Sequence, residues 1–211
     1  DPEIDTLLFD RHPISTAGAR DVPPTLANKP ASGPSLHLVQ FVGPIKQEWL
    51  DAVEASGAKL VQYVASNGYM VWSDAASRGK LDNLAADGDF LQFSGSFQTA
   101  YKLGASIERR ILEATRPDEL VPVVIQMYAH PGKQVSQQAV ANLAVEVQSD
   151  WTPVLAFENL LVKVRASDLL TIASLPDVVW VGERFPRELM DEVQSQIVAG
   201  AFIAGRTGPS A

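Results

Sequence analysis

One order of strands and helices is written twice in this chain, with a spacing of about 90 residues, so each copy is large enough to be a domain. In the first copy residues 36–42 read as a strand stopped by Gly43-Pro44, and Ile45, Trp49, Leu50 and Val53 then share one helix face. Residues 59–64 and 69–72 read as two strands around the tight-turn signal Ser66-Asn67-Gly68. Ser73-Asp74 can cap a second helix with Leu81 and Leu84 inward, and residues 90–93 close the unit. The second copy runs from a strand at 121–128 through His130-Pro131-Gly132 into a helix carrying Val135, Ala139, Val140 and Leu143. A strand at 147–157 broken near Pro153, a turn at Glu158-Asn159, a strand at 160–164, a short helix capped by Ser167-Asp168 and a strand at 177–181 complete it. Connection rules make a ferredoxin-like β-α-β-β-α-β unit the natural fold for this order. The expected class is therefore α+β: two tandem four-stranded antiparallel sheets, each with helices on one face.

Helices on one face leave the other free to alternate to polar residues, and here it does not do so cleanly. Leu36, Leu38 and Val42 point one way while Val39 and Phe41 point the other; Val178 and Trp180 oppose Val179 and Val181. Strands apolar on both sides predict sheets buried on both sides, by the sister unit or by a partner. Residues 1–35, with six prolines, read as an irregular arm pinned by Leu7, Leu8 and Phe9.

Composition narrows the function classes. A formal charge of −8 argues against nucleic acid as partner, and no apolar run approaches the roughly 20 residues of a membrane-spanning helix. The absence of cysteine excludes a disulfide scaffold and a thiolate metal site. A serine triad needs a histidine poised as base; His12 lies in the arm, His37 inside a strand and His130 at a helix entrance, and Ser94-Gly95-Ser96 lacks the leading glycine of a nucleophile elbow. Asp10 and His12 are too few ligands for a metal, and Gly43-Pro44-Ile45-Lys46 has too few glycines for a phosphate loop. Phe41 and Tyr69 are candidate RNA-stacking aromatics, but the acidic balance favours core or docking surface. No catalytic residue, metal or cofactor is expected in this chain.

The closing third of the second unit, Ala166-Ser167-Asp168-Leu169-Leu170 through Leu175-Pro176-Asp177-Val178-Val179-Trp180-Val181-Gly182-Glu183-Arg184, resembles the last helix, loop and Val-x-aromatic-Val strand of a subtilisin propeptide. Leu38-Val39-Gln40-Phe41 and Ala75-Ala76-Ser77 give the first unit a similar layout, although Phe90-Leu91-Gln92-Phe93 lacks the closing pattern. The resemblance implies the pro-region of a secreted or periplasmic subtilisin-like serine protease, its signal peptide already removed. Such a pro-region acts as folding chaperone and active-site inhibitor, with its own catalytic domain as partner. It further implies that residues Arg187, Glu188, Leu189 and Met190 lie in the protease cleft as an added strand, with Pro186 just outside and Met190 before the cut. Asp177 and Glu183 would cap helix N-termini of the protease. An alternative processing end is Ser210-Ala211, which would put Pro209 third from the cut, where a substrate strand normally donates an N–H.

The implied domain division is an arm at 1–35, a first unit at 36–105, a linker at 106–119, a second unit at 120–187, and an inhibitory tail and linker at 188–211. A rival reading is a regulatory module of paired amino-acid-sensing ferredoxin-like domains, with its ligand at Val42-Gly43-Pro44.

Overall fold

A computed structural model of the chain describes residues 6–7, 14–15, 22–28, 32–114 and 116–184. Two short strands, β1 (Thr6–Leu7) and β2 (Ile14–Ser15), pair in the arm, and a 3-10 turn follows at Pro24–Leu26. The first unit contains β3 (Ser35–Phe41), α1 (Gln47–Ala55), β4 (Lys59–Val64), β5 (Gly68–Ser73), α2 (Ala75–Asp87) and β6 (Leu91–Ser96). A second 3-10 turn, Thr99–Lys102, and α3 (Ala105–Glu113) connect it to the next. There follow β7 (Leu120–Tyr128), α4 (Gln134–Leu143), β8 (Ala144–Val147), β9 (Thr152–Val154), β10 (Phe157–Arg165), α5 (Leu169–Ala173) and β11 (Val178–Glu183).

The fold is mixed α+β with one four-stranded and one five-stranded antiparallel sheet besides the arm's strand pair. The sheet orders are β4-β5-β3-β6 and β11-β7-β10-β8, with β9 also on β10. Counted within each unit, the two orders are one and the same: the fourth strand, then first, third and second. Local chemistry explains several joints. Ser66 and Asn67 both take positive φ, 67° and 59°, in the three-residue loop Ala65–Asn67 that closes β4 and β5 on the Val64–Gly68 pair. Asp74 caps α2 through its carboxylate, which accepts from the Ser77 N–H at 2.8 Å.

Register decides what each face of the first sheet carries. Val39, Phe41, Val71 and Leu91 share a cluster with Val53 of α1 and Leu81 of α2. Leu36, Leu38, Met70 and Phe93 belong instead to the large cluster that also holds Val121, Ile125, Val162, Val179 and Val181 of the second unit. A bulge opposite Gln40 and Phe41 lets Leu91 and Phe93 serve opposite faces although they are two residues apart. The helix-free face of the first sheet is thus interior. The arm's Leu7 and Leu26 and the connector's Phe97, Tyr101 and Leu103 are buried in the same cluster. A Cβ on Gly68 would stand 2.4 Å from a Leu7 methyl, so glycine there makes room for the arm.

Four local expectations are corrected. The turn predicted at Glu158-Asn159 lies at Leu155-Ala156, and Glu158 and Asn159 sit inside β10, opposite Met127 and Gln126. Partnering won over turn propensity: the Glu158 carboxylate accepts from Lys133 and Gln137, and Asn159 accepts from Gln126. The strand expected at 147–157 with a break near Pro153 is instead β8, which ends at Val147, and β9, which holds Pro153. Asp168 makes no side-chain cap on α5, which is entered through a 3-10 turn at Ala166–Asp168. The 106–119 stretch, read as a linker, carries α3, whose Ile107 is fully buried.

Leu38 is completely buried and Leu155 is 98% exposed at φ 56°. Leu38→Ala is expected to cost about 3 kcal/mol in urea unfolding, as a large-to-small core change does. Leu155→Gly should be neutral or stabilising by about 0.5 kcal/mol, since it relieves a left-handed residue and removes no packing.

Candidate functional site

The second sheet alternates cleanly. On β7, Val121, Val123, Ile125 and Met127 are buried, and on β10, Leu160, Val162 and Val164 point the same way. The opposite, helix-free face carries Pro122, Val124, Gln126 and Tyr128 of β7, Asn159, Leu161 and Lys163 of β10, and Trp180 of β11, all half-buried. Leu161 stands directly opposite Val124, and the Gln126 amide donates to Asn159 at 3.2 Å. Lys163 pairs with Glu146 at 2.8 Å on the outer side. The Trp180 indole lies across Gly182, where a Cβ would sit 2.7 Å from its nitrogen, and against Gly104. Apolar side chains with a few interspersed polar ones give this face the composition of a protein-contact surface.

Part of that face is already used. Trp72, on the helix-free side of the first sheet, meets Tyr128 and His130 with ring centroids 5.7 and 4.4 Å away. The two units therefore join at the Tyr128 end of the second sheet, and the Leu36 N–H completes the joint by donating to the Pro176 carbonyl at 3.1 Å. Pro122, Val124, Leu161 and Lys163 remain half-exposed beyond it.

Of the residues expected at a protease surface, Pro186, Arg187, Glu188, Leu189, Met190, Ser210 and Ala211 lie outside the described residues. Asp177 and Glu183 are described, and each is engaged within the chain. Asp177 is 1% exposed and holds His130 Nε2 at 3.0 Å. Glu183 accepts from Arg110 at 3.0 Å, and Arg110 also pairs with Glu119 at 2.9 Å. The Glu183 bond, foremost, and the pair with Glu119 hold the Arg110 guanidinium above its ordinary pKa. Both carboxylates have partners within the chain, because β11 places Glu183 on the α3 side and the loop before β11 turns Asp177 inward.

Residues singled out less strongly in the sequence matter more. His130 is clamped between Trp72 of the first unit and Asp177 of the second. Lys102, on the connector, is 2% exposed and donates to the Leu175 carbonyl at 2.7 Å. Burial lowers its pKa from 10.5 to about 7, against the opposing pull of Asp177. The only trace in sequence was a lysine set between Tyr101 and Leu103. His37 touches the Ser94 hydroxyl at 2.7 Å, and that hydroxyl donates to Asp82 at 2.6 Å. Serine, not histidine, is in the middle of this chain, so the histidine is not placed to take a proton for transfer as in a triad.

Residues 7–103 match the model of a family described as a domain of unknown function (DUF8729). The match runs from the buried Leu7 of the arm to Leu103 of the connector, so it takes in the arm and the whole first sheet and stops before α3. No curated protein and no solved structure matches the chain.

An amine that folds with a lowered pKa leaves the unfolded chain binding more protons between the two values, so stability climbs with pH across that window. For Lys102 the climb runs from about pH 7 toward 10. It turns over above that, where burial has raised the Tyr128 pKa and ionising its phenol opposes folding. Lys102→Met should raise stability at pH 7 and below by roughly 3–5 kcal/mol and flatten the climb, as read from urea unfolding at a series of pH values.

Proposed function

We propose that the chain is the non-catalytic pro-region of a secreted subtilisin-like serine protease, serving as folding chaperone and built-in inhibitor of its own catalytic domain. Both units are taken as ferredoxin-like, a reading supported by their shared strand order and by helices that follow the first and third strands of each. The observation that carries the proposal is the half-buried helix-free face of the second sheet. Val124, Leu161 and Trp180 supply apolar contact there, and Gln126, Asn159 and Lys163 supply polar contact. A face of this kind suits a preformed protein surface, where apolar burial drives association and a few hydrogen bonds set register.

The last described strand strengthens the reading. β11 lies at the edge of that sheet and in sequence immediately precedes Pro186–Met190, with the Arg184 N–H still bonded to the Pro122 carbonyl at 2.8 Å. A segment that follows a docked edge strand is suited to add as a strand in a cleft. Docking the sheet while the tail occupies the cleft links two weak contacts into one, which raises apparent affinity without a new interface. The joint between units limits how much of the second sheet is available and so directs docking to the Val124–Leu161 region. The first unit, with its helix-free face already interior, is assigned to bracing the second.

Purified chain is expected to inhibit a subtilisin-like protease in a steady-state assay, and deletion of residues 186–211 to remove most of that inhibition. Leu161→Glu, which places a charge in the middle of the face, is expected to weaken inhibition about tenfold or more while leaving the circular dichroism spectrum unchanged. Equal potency of the truncated and full chains would rule out occupancy of the cleft. Absence of any inhibition would return the paired-sensor reading to first place.

A further inference from the structure

We propose that the groove between the arm, the connector and α5 binds a small monocarboxylate, either a free acid or the C-terminal end of a short peptide, through the ammonium of Lys102. This goes beyond the protease reading and does not need it. The groove measures about 700 Å³, within the usual range for small-molecule sites. Lys102 is the only charged side chain among the described residues that line it. Three donors are available on an ammonium, and among the described residues Lys102 uses one, on the Leu175 carbonyl. No described carboxylate comes within ion-pair distance of it, and Asp177 acts only through its field at longer range.

A buried cation with donors to spare is costly unless an anion meets it. That the chain retains lysine at this buried position, where an apolar residue would be more stable, points to a role for the charge. The surroundings narrow the ligand further. Ser35 and Ser96 on one side and Thr171 on the other offer hydroxyls. The Ser35 oxygen accepts from Arg78 at 3.0 Å, which leaves its own proton free to be donated into the groove. Phe97 and Leu170 add an apolar wall that suits a hydrocarbon body. One cation and a set of neutral donors match a single negative charge better than a phosphate dianion.

The test is isothermal titration calorimetry of the full chain with hexanoate against hexanamide, and with an N-acetylated tripeptide acid against its amide. Saturable binding of an acid at millimolar concentration, with its amide at least tenfold weaker, is the expected result; whichever acid binds assigns the source. Lys102→Met, which should fold more stably than wild type, is expected to lose that binding, and Ser35→Ala to weaken it several-fold. Near pH 8 the binding should take up a proton as the amine becomes ammonium, so that the apparent enthalpy differs between HEPES and Tris buffers. Equal binding of acid and amide, unchanged binding by Lys102→Met, or no saturable binding of either acid would overturn the proposal. Protease inhibition by the same protein is read separately and is expected to be indifferent to Lys102→Met.

Discussion

Burial of the helix-free face of the first sheet is the constraint on which the rest of this architecture depends. A four-stranded sheet with helices on one side exposes a second apolar side, and Leu36, Leu38, Met70 and Phe93 make that side too greasy to leave in water. The chain covers it from three directions: the arm through Leu7 and Leu26, the connector through Phe97 and Tyr101, and the second unit around Val179 and Tyr128. What looks like two repeats in sequence is therefore one continuous core with a second, smaller core under α1 and α2. The helix-free face of the second sheet is left only partly covered, and this asymmetry between the repeats is what the proposed function builds on.

Polar groups are concentrated at the joint. Asp177, His130 and Lys102 lie where the first unit, the connector and the second unit meet. Lys102 would be cheaper to replace with an apolar residue of similar size, because desolvating a charge costs more than an ordinary hydrogen bond returns, whereas removing either member of the His130–Asp177 pair would strand the other. Gln40 shows the alternative: fully buried at the other end of β3, its amide donates to the Ser66 carbonyl and its oxygen accepts from Gln92, both in its own unit. The joint differs in bringing together polar groups from separate elements.

Much of the scaffold was legible because it rests on short-range rules. The strand at β7, the turn at Ser66-Asn67 and the Asp74 cap follow from residues within a few positions of one another. The failures have one cause. Glu158-Asn159 reads as a turn locally, yet in the fold it gains Lys133, Gln137 and Gln126 as partners, and these come from α4 and β7. Asp177 and Glu183 read as outward charges because they flank an edge strand, yet His130 and Arg110 reach them from 47 and 73 residues away. The candidate site shows the same division: Trp180 and its strand stood out in sequence, whereas Lys102 was hidden in a connector with no motif around it.

Sequence alone determined that there are two copies of one strand–helix order and that the strands of the first copy are apolar on both sides, since side-chain alternation and hydrophobic spacing are properties of neighbouring residues. Only the tertiary structure decided what covers those second sides, which of them stays partly open, and which charges are buried at the joint. Those outcomes depend on contacts between residues far apart in the chain, whose energies are settled by who is left facing water after packing, and no local pattern records that.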